Sequence, residues 1–242
     1  MVITSKSNPI IKTAASLSDK KFRKQLNLYL VEGIKPVKEC LKAGCEIERI
    51  ICTVENETLF PNCTVVSDGV FKSISSEKTP QGVSAVVKIP KIPMASPKGR
   101  CLLLDCLQDP GNLGTVIRTA NAAGYGEIYL INCTDPYSPK SVRASMSGIF
   151  FVNLYSGSRE EILSLLDGVP IVCADMDGED VFGFNPPEKF CLCIGNEGGG
   201  ISSEVFEKAQ YTVKIPMRET CESLNAAVSA GIAMYALKNN IK

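Results

Sequence analysis

The sequence predicts an α/β protein in which a larger domain with a parallel sheet follows a smaller N-terminal α/β module. In residues 101–242, short apolar runs alternate with helical patterns, which is typical of a parallel sheet covered on both faces. Between the halves, the segment KIPKIPMASPKG (88–99) carries three prolines, which neither a helix nor a central strand tolerates. We therefore divide the chain into an N-terminal domain over 1–90, a linker over 91–99 and a second domain over 100–242.

The N-terminal module is predicted to mix helices and strands. A basic helical stretch precedes an apolar, strand-like run at 26–33, and a helical pattern follows at 34–44. The segment IERIICT (47–53) indicates a strand. Beyond it we expect a strand, a short helix, a turn around Pro80–Gly82 and a last strand at 83–89.

The second half has the more regular pattern. Its apolar runs predict strands at 101–105, 127–131, 170–176, 190–195 and 211–217. Helices are expected at 112–124, 140–149, 159–166, 202–209 and 223–237. The last of these is rich in alanine and apolar on nearly all sides, so we expect it to be buried or to lie in a subunit interface.

The composition excludes several kinds of chemistry. The 242 residues include no histidine, so a Ser-His-Asp triad, a Cys-His dyad and an HExxH zinc site are excluded, and we expect no metal site. The 11 cysteines form no CxxC pair and lie largely in apolar runs, which favours reduced core thiols and a cytoplasmic protein. Since no secretory h-region or long apolar stretch occurs, we expect no membrane association.

The neutral net charge conceals an asymmetry. Residues 1–100 hold 16 Lys and Arg against 9 Asp and Glu, whereas residues 101–242 hold 10 against 17. Clustered cations attract polyphosphate ligands, so the basic half is expected to contact a polyanion. Its densest cluster comprises Lys6, Lys12, Lys20, Lys21, Arg23 and Lys24. The alternative is a solvated basic helix face.

Three segments at predicted strand ends could form a site. The segment 105–124 places Asn112 to cap a helix and Arg118 roughly two turns further on. The segment 193–202 has four glycines around Glu197, which indicates backbone in left-handed conformations or close to a ligand, although the GxGxxG spacing is absent. The segment 213–237 puts Ser223 and Asn225 at the start of the last helix. Simple caps and a structural glycine turn are the alternatives.

Together these segments resemble a known family. NxGxxxRTA (112–120), GNEGGGIS (195–202) and IPMRETCESLNAAVSAGIAMYAL (215–237) resemble motifs 1, 2 and 3 of the SpoU/TrmH family of RNA ribose 2′-O-methyltransferases, in order and spacing. YLVEG (29–33) and QGVSAVV (81–87) resemble the substrate-binding module of that family. The resemblance implies a deep trefoil knot in the C-terminal domain, S-adenosylmethionine between the motif 2 and motif 3 loops, and a homodimer with the site near its interface.

The resemblance also implies roles for individual residues. It makes Asn112, Arg118, Glu197, Ser223 and Asn225 catalytic, and it places cofactor contacts at Gly195, Ile215 and Leu224. From the residues alone, the base that activates a ribose hydroxyl could be Glu197, Arg118 or a thiolate, because imidazole is absent. The resemblance implies the arginine.

The implied function is methylation of a ribose 2′-hydroxyl in structured RNA with S-adenosylmethionine as methyl donor. The appended N-terminal module favours large-subunit (23S) ribosomal RNA over tRNA. Two alternatives remain open at this point: a tRNA ribose 2′-O-methyltransferase, and a non-catalytic RNA-binding or assembly protein that retains the fold. A nucleotide-dependent oxidoreductase lacks its glycine fingerprint.

Overall fold

The computed structural model describes residues 1–238 as an alternation of helices and strands. The strands are β1 (Leu28–Glu32), β2 (Ile47–Thr53), β3 (Thr64–Val66), β4 (Val83–Lys88), β5 (Cys101–Asp105), β6 (Glu127–Ile131), β7 (Asn153–Gly157), β8 (Ile171–Asp180), β9 (Cys191–Ile194) and β10 (Tyr211–Lys214). The helices are α1 (Pro9–Ser16), α2 (Lys20–Leu26), α3 (Ile34–Lys42), α4 (Asp68–Phe71), α5 (Pro110–Ala123), α6 (Pro139–Ala144), α7 (Arg159–Leu165), α8 (Ser203–Phe206) and α9 (Ala226–Ala236). Across residues 1–238, every helix is too short or too polar to cross a bilayer.

The predicted fold class is confirmed, with differences in single elements. Strand β7 was not expected, because it lies at the edge of its sheet and buries only Tyr155, so its sequence has no apolar run. Helix α8 is four residues long rather than the predicted eight. Helix α9 begins at Ala226, three residues later than expected, because Asn225 caps it. The trefoil knot stays a prediction.

The chain forms two compact units. The first comprises Met1–Lys91 together with Asp135–Phe150, and the second comprises Ile92–Thr134 together with Phe151–Lys242. Residues 135–150, which lie within the predicted second domain, are therefore part of the first unit. The proposed domain boundaries, at residues 90 and 100, stay a prediction.

The first unit is built on a four-stranded sheet of order β1-β4-β2-β3. Strand β4 runs antiparallel to β1 and β2, whereas β2 and β3 are parallel. The core on one face includes Leu17 from the end of α1, Leu30 of β1 and Phe71 of α4. Burial of this apolar face stabilises the unit.

A buried ion pair joins the two chain segments of the first unit. Arg23 of α2 is 3% exposed, and its Nε and Nη2 atoms donate to Oδ2 of Asp135 at 2.9 and 2.7 Å. Its Nη1 donates to the carbonyl oxygens of Leu17 and Ser18. The expectation that Arg23 belongs to a surface cluster for a polyanion is therefore wrong, because its charge is already neutralised inside the fold.

The second unit contains a six-stranded, fully parallel sheet of order β10-β8-β9-β5-β6-β7. Strand β5 lies near its centre and all five of its residues are buried. The chain proceeds from β5 outward to β7 and then returns to the other side, so the strand order reverses between β5 and β9. In open parallel sheets, ligands bind at the carboxyl edge beside such a reversal.

The proline-rich segment between the sheets is not a free linker over its whole length. Residues 89–100 form no helix or strand, as expected. From Ile92 onward, however, the segment packs on the second unit: Ile92 contacts its core, and the hydroxyl of Tyr129 donates to the carbonyl oxygen of Ala95 at 2.7 Å. The backbone N–H of Lys98 donates to Glu127.

The cysteines are mostly free thiols. Nine are unpaired, and five of these are buried, as their apolar surroundings predicted. The prediction is wrong for Cys52 on β2 and Cys63 just before β3, which form a disulfide with a Cα–Cα distance of 6.4 Å. Their separation of 11 residues spans a 3-10 helix (Val54–Leu59) and the turn into a neighbouring parallel strand, and the sequence spacing does not reveal that the two cysteines are close.

The buried ion pair of the first unit makes a testable prediction. We expect Arg23→Met to lower the free energy of unfolding by about 3 kcal/mol, because Asp135 would lose its partner while remaining largely buried. The matched control is Lys35→Met, which removes an exposed partner of Glu39 at 3.9 Å and should leave stability almost unchanged. Urea titration followed by circular dichroism measures both. Equal losses of unfolding free energy in the two variants would contradict the stabilising role of the buried pair between Arg23 and Asp135.

Candidate active site

The first site segment follows β5. Asp109 caps α5, and its side chain accepts a hydrogen bond from the backbone N–H of Asn112 at 2.9 Å, while Pro110 occupies the first helical position. The prediction that Asn112 caps this helix is therefore wrong. Since Asp109 performs that task, the amide side chain of Asn112, in the first turn, is available for the site.

The second segment is the glycine-rich loop over 195–202. Asn196 and Gly200 exchange backbone hydrogen bonds of 2.9 and 3.0 Å, and Oδ1 of Asn196 accepts from the N–H groups of Gly198 and Gly199. A Cβ atom at Gly195 would lie 2.3 Å from the carbonyl carbon of Gly200, which itself has φ of +66°. The expected close backbone approach and left-handed conformation are both present.

The third segment leads into α9. Asn225 caps the helix, and its Oδ1 accepts from the N–H groups of Ala227 and Val228 at 3.0 and 3.3 Å. Ser223 and Leu224 lie before the helix rather than in it, so the prediction that the helix starts at Ser223 is wrong. The cap nevertheless uses only one side of the Asn225 amide.

A chain of hydrogen bonds joins one residue from each segment. Nδ2 of Asn225 donates to Oδ1 of Asn112 at 3.0 Å, and Nδ2 of Asn112 donates to Oε1 of Glu197 at 2.5 Å. Residues separated by 113 and 85 positions in the sequence thus meet at the carboxyl edge of the sheet. This convergence is what the three segments predicted.

A cavity of about 950 Å³ opens beside this chain of hydrogen bonds. Gly195, Ile215 and Leu224, the three residues singled out for cofactor contact, all line it, and so do Glu197 and Ser223. The segment that leaves β10 supplies much of its wall. Three further acidic residues, Asp175, Glu219 and Glu222, also line it, and so do two basic ones, Lys214 and Arg218, so that acidic residues outnumber basic ones by four to two. A cavity with this lining can hold a ligand of nucleoside size that carries positive charge.

Arg118 and Ser223 are not joined to the hydrogen-bonded chain. Arg118 is exposed on α5, and within residues 1–238 its guanidinium forms no hydrogen bond or ion pair and lines none of the cavity. Ser223 is exposed at the cavity, and only its carbonyl oxygen is engaged, by Sγ of Cys221 at 3.4 Å. Both side chains are free to contact a ligand.

Thiols near the strand ends are poor candidates for a base. Burial raises the pKa of Cys133 to about 12, and burial followed by the neighbouring Asp105 raises the pKa of Cys106. Each thiol therefore stays protonated at neutral pH. The groups at the site that the sequence left open as a base are therefore the carboxylate of Glu197, the guanidinium of Arg118 and the exposed thiol of Cys221, which lines the cavity.

Sequence reasoning missed two residues that shape the site. Asp105 ends β5 as a fully buried carboxylate, and Asn196 holds the glycine-rich loop closed from within. The signal for Asp105 is a charged residue that ends a wholly apolar strand, CLLLD. For Asn196 the signal is weaker, because an asparagine among glycines is also common in ordinary turns.

Comparisons with known proteins match this geometry. Residues 99–235 match the family model described as the SpoU rRNA Methylase family, and residues 8–85 match the MRM3-like substrate binding domain. The 23S rRNA (guanosine(2553)-2′-O)-methyltransferase RlmP of Bacillus subtilis (strain 168) is 33% identical, with 98% of each chain covered. The 23S rRNA (uridine(2479)-2′-O)-methyltransferase of Streptomyces viridochromogenes is 29% identical over 96% of this chain and 90% of its own.

A solved structure extends the similarity to three dimensions. The crystal structure of an AdoMet-bound rRNA methyltransferase from Sinorhizobium meliloti has a TM-score of 0.88 to this chain at 29% identity, covering 98% of this chain and 97% of its own. The family match covers all six strands of the parallel sheet, the first two site segments and the third as far as residue 235. With its fold, its converging segments and its full-length relatives in agreement, this chain belongs to the SpoU rRNA Methylase family.

Proposed function

We propose that the protein transfers a methyl group from S-adenosylmethionine to a ribose 2′-hydroxyl of structured RNA, and that this RNA is 23S ribosomal RNA. The observation that carries the proposal is the hydrogen-bonded chain Glu197–Asn112–Asn225 at the rim of the cavity. The names of the B. subtilis and S. viridochromogenes relatives support the choice of RNA. Because ribosomal RNA is the proposed substrate, we propose that the protein acts in the cytoplasm.

The cavity fits S-adenosylmethionine. The methyl donor is a nucleoside with a cationic sulfonium, and when bound it supplies a methyl group already activated for transfer. The cavity volume of about 950 Å³ suits its size, and a lining with four acidic and two basic residues suits its charge. At Gly195 the backbone reaches the cavity wall without a side chain, because Gly200 fills the position a Cβ would take. We propose that the backbone of Gly195, Ile215 and Leu224 holds the cofactor.

The remaining site residues would act on the RNA. A ribose hydroxyl is a weak nucleophile, so its orientation and the loss of its proton limit the reaction. We assign the unpaired side chain of Arg118 to the phosphate beside the target ribose, where it orients the hydroxyl or accepts its proton as the methyl group is transferred. Asn225 and Ser223 contact the sugar together with Asn112. Glu197 holds Asn112 in place through the 2.5 Å hydrogen bond.

We further propose that the protein works as a homodimer. Helix α9 is almost entirely apolar, yet in the single chain Val228 and Tyr235 are each 50% exposed. Its other face packs on α5, where Gly231 lies against Thr119. An apolar helix with one open face is typical of a subunit interface. Because α9 packs on α5, a second copy on this face would also lie close to α5, the helix that carries Arg118.

The first unit is proposed to select the RNA. Its match to a substrate binding domain covers residues 8–85. Exposed lysines lie in or just before this range: Lys6, Lys12, Lys20, Lys21 and Lys24. Lysine side chains attract phosphate backbones through release of counterions. Their position on and before α2 leaves them in solvent, unlike Arg23.

The function is tested by mapping ribose methylation in RNA from cells with and without the gene. We expect one nucleotide of 23S ribosomal RNA to lose its 2′-O-methyl group in the deletion strain and to regain it when the wild-type chain is expressed. Loss of a mark on tRNA instead would support the tRNA alternative. Identical marks in both strains, together with no heat of binding for S-adenosylmethionine, would support a non-catalytic protein.

Arg118→Ala tests the arginine. It should reduce methyl transfer by about 100-fold, because orientation of the hydroxyl is lost, and should leave calorimetric binding of S-adenosylmethionine unchanged. Asn121→Ala, an exposed change on the same helix, is the matched control and should retain full activity. Near-normal transfer by a folded Arg118→Ala variant would show that the assignment is wrong.

The lysines of α2 should carry part of the RNA affinity. The triple change Lys20→Ala, Lys21→Ala and Lys24→Ala is expected to weaken binding of ribosomal RNA and to lower the slope of log affinity against log salt by about 2. The control removes two exposed lysines of the second unit, Lys189 and Lys208. Filter binding over a salt series measures the slope. A slope that changes equally in both variants would contradict the proposed role of α2.

The interface of α9 is tested by sedimentation velocity. We expect the wild-type chain to sediment as a dimer, and Val228→Asp to shift it toward a monomer because a carboxylate would be buried without a partner. The control is Phe182→Asp, which changes an exposed apolar side chain of the second unit outside α9. A wild-type chain that is monomeric at micromolar concentration would refute the dimer.

A further inference from the structure

A fully buried carboxylate is hydrogen-bonded to the glycine-rich loop, although it neither lines the cavity nor belongs to the hydrogen-bonded chain of Glu197, Asn112 and Asn225. Asp105, the last residue of β5, has a side chain that is 1% exposed. Burying a carboxylate is costly unless hydrogen bonds and charges compensate it. The partners of Asp105 therefore indicate what the carboxylate does.

The strongest contacts of Asp105 are to one end of the glycine-rich loop. Its Oδ2 accepts hydrogen bonds from the backbone N–H of Ser202 at 2.8 Å and from the hydroxyl of Ser202 at 2.5 Å. Its Oδ1 accepts from Sγ of Cys106 at 3.4 Å and lies 3.5 Å from Nη2 of Arg159. Arg159 in turn pairs with Glu204 at 2.9 Å. The carboxylate is thus compensated by charge and by hydrogen bonds.

The other end of the loop is held at the neighbouring residue. Nδ2 of Asn196 donates to the carbonyl oxygen of Cys106 at 2.7 Å, and Cys106 adopts the left-handed conformation, with φ of 60°. Both ends of the loop are therefore fastened to the end of β5, at two consecutive residues. Glu197 lies between these fastenings, and helix α5 with Asn112 begins five residues after Asp105. The same strand end thus positions both partners of the 2.5 Å hydrogen bond.

We infer that Asp105 is a positioning residue for the reaction: its carboxylate holds the glycine-rich loop in the conformation that forms the cavity wall at Gly195 and presents Glu197 to Asn112. The inference rests on the proposed function for its catalytic consequence. A purely structural ion pair would make a different prediction, because its removal would weaken the whole sheet and not the loop in particular.

The test uses the full-length protein and hydrogen–deuterium exchange of its peptides. In Asp105→Asn, amide exchange in the peptide that contains 195–202 should become about tenfold faster, while exchange in β6 stays unchanged, because charge-assisted hydrogen bonds to one loop end are lost. The dissociation constant for S-adenosylmethionine should rise by about tenfold. Ser202→Ala, which removes only the hydroxyl contact, should show about a threefold effect on both.

Glu204→Gln is the matched control. It weakens the outer ion pair of Arg159, contacts neither the loop backbone nor the cavity, and should leave loop exchange and cofactor affinity within about twofold of wild type. Unchanged loop exchange in a folded Asp105→Asn variant would overturn the inference. So would a control that loosens the loop as much as Asp105→Asn does.

The Ser202→Ala variant decides one further outcome. If Asp105→Asn accelerates exchange in β6 and the loop alike, Ser202→Ala decides: faster exchange in the loop alone supports the inference, and no change overturns it. Loop exchange needs no cofactor and no RNA. A wild-type protein that binds no S-adenosylmethionine would therefore refute the proposed function without affecting the exchange result.

Discussion

The site depends on the adjacency of β5 and β9 at the centre of the parallel sheet. Leu104 of β5 lies in register with Ile194 of β9, so the segments that follow these two strands leave the sheet side by side. One exit leads to α5 and Asn112, and the other leads to the glycine-rich loop and Glu197. Because strand order reverses here, the following segments diverge and leave a crevice at this edge. The contact between Asn112 and Glu197 is a consequence of that register.

The apolar interior of the sheet supports this arrangement. All four residues of β9 and all five of β5 are buried, so a slip of either strand would bring a loop residue into the sheet and remove a buried residue from it. A shift of one residue would move the end of β9 by one strand step, more than 3 Å, and separate Glu197 from Asn112. The rigid sheet thus fixes the geometry of loops that have little regular structure of their own.

Much of this could be predicted from the sequence, and the exceptions have physical reasons. Apolar runs separated by helical patterns identified the parallel sheet, because both its faces are covered. The segments around Asn112, Glu197 and Asn225 were found because they follow strands. Which residue caps α5 was not predictable, since Asp109 and Asn112 are both good caps and the choice depends on where the turn after β5 ends. The edge strand β7 and the burial of Arg23 depend on tertiary partners that no local pattern reveals.

The cap at the N-terminus of α9 gives the hydrogen-bonded chain a particular polarity. Oδ1 of Asn225 must face the helix to accept from Ala227 and Val228, so its Nδ2 can only donate outward. Asn112 must then present Oδ1 to Asn225, which leaves its own Nδ2 as a donor in need of an acceptor. An ionised carboxylate, which only accepts, satisfies that requirement at Glu197. The N-terminus of α9 therefore sets the orientation of two amides in succession, first that of Asn225 and then that of Asn112. The carboxylate of Glu197 in the glycine-rich loop accepts the last hydrogen bond of the chain.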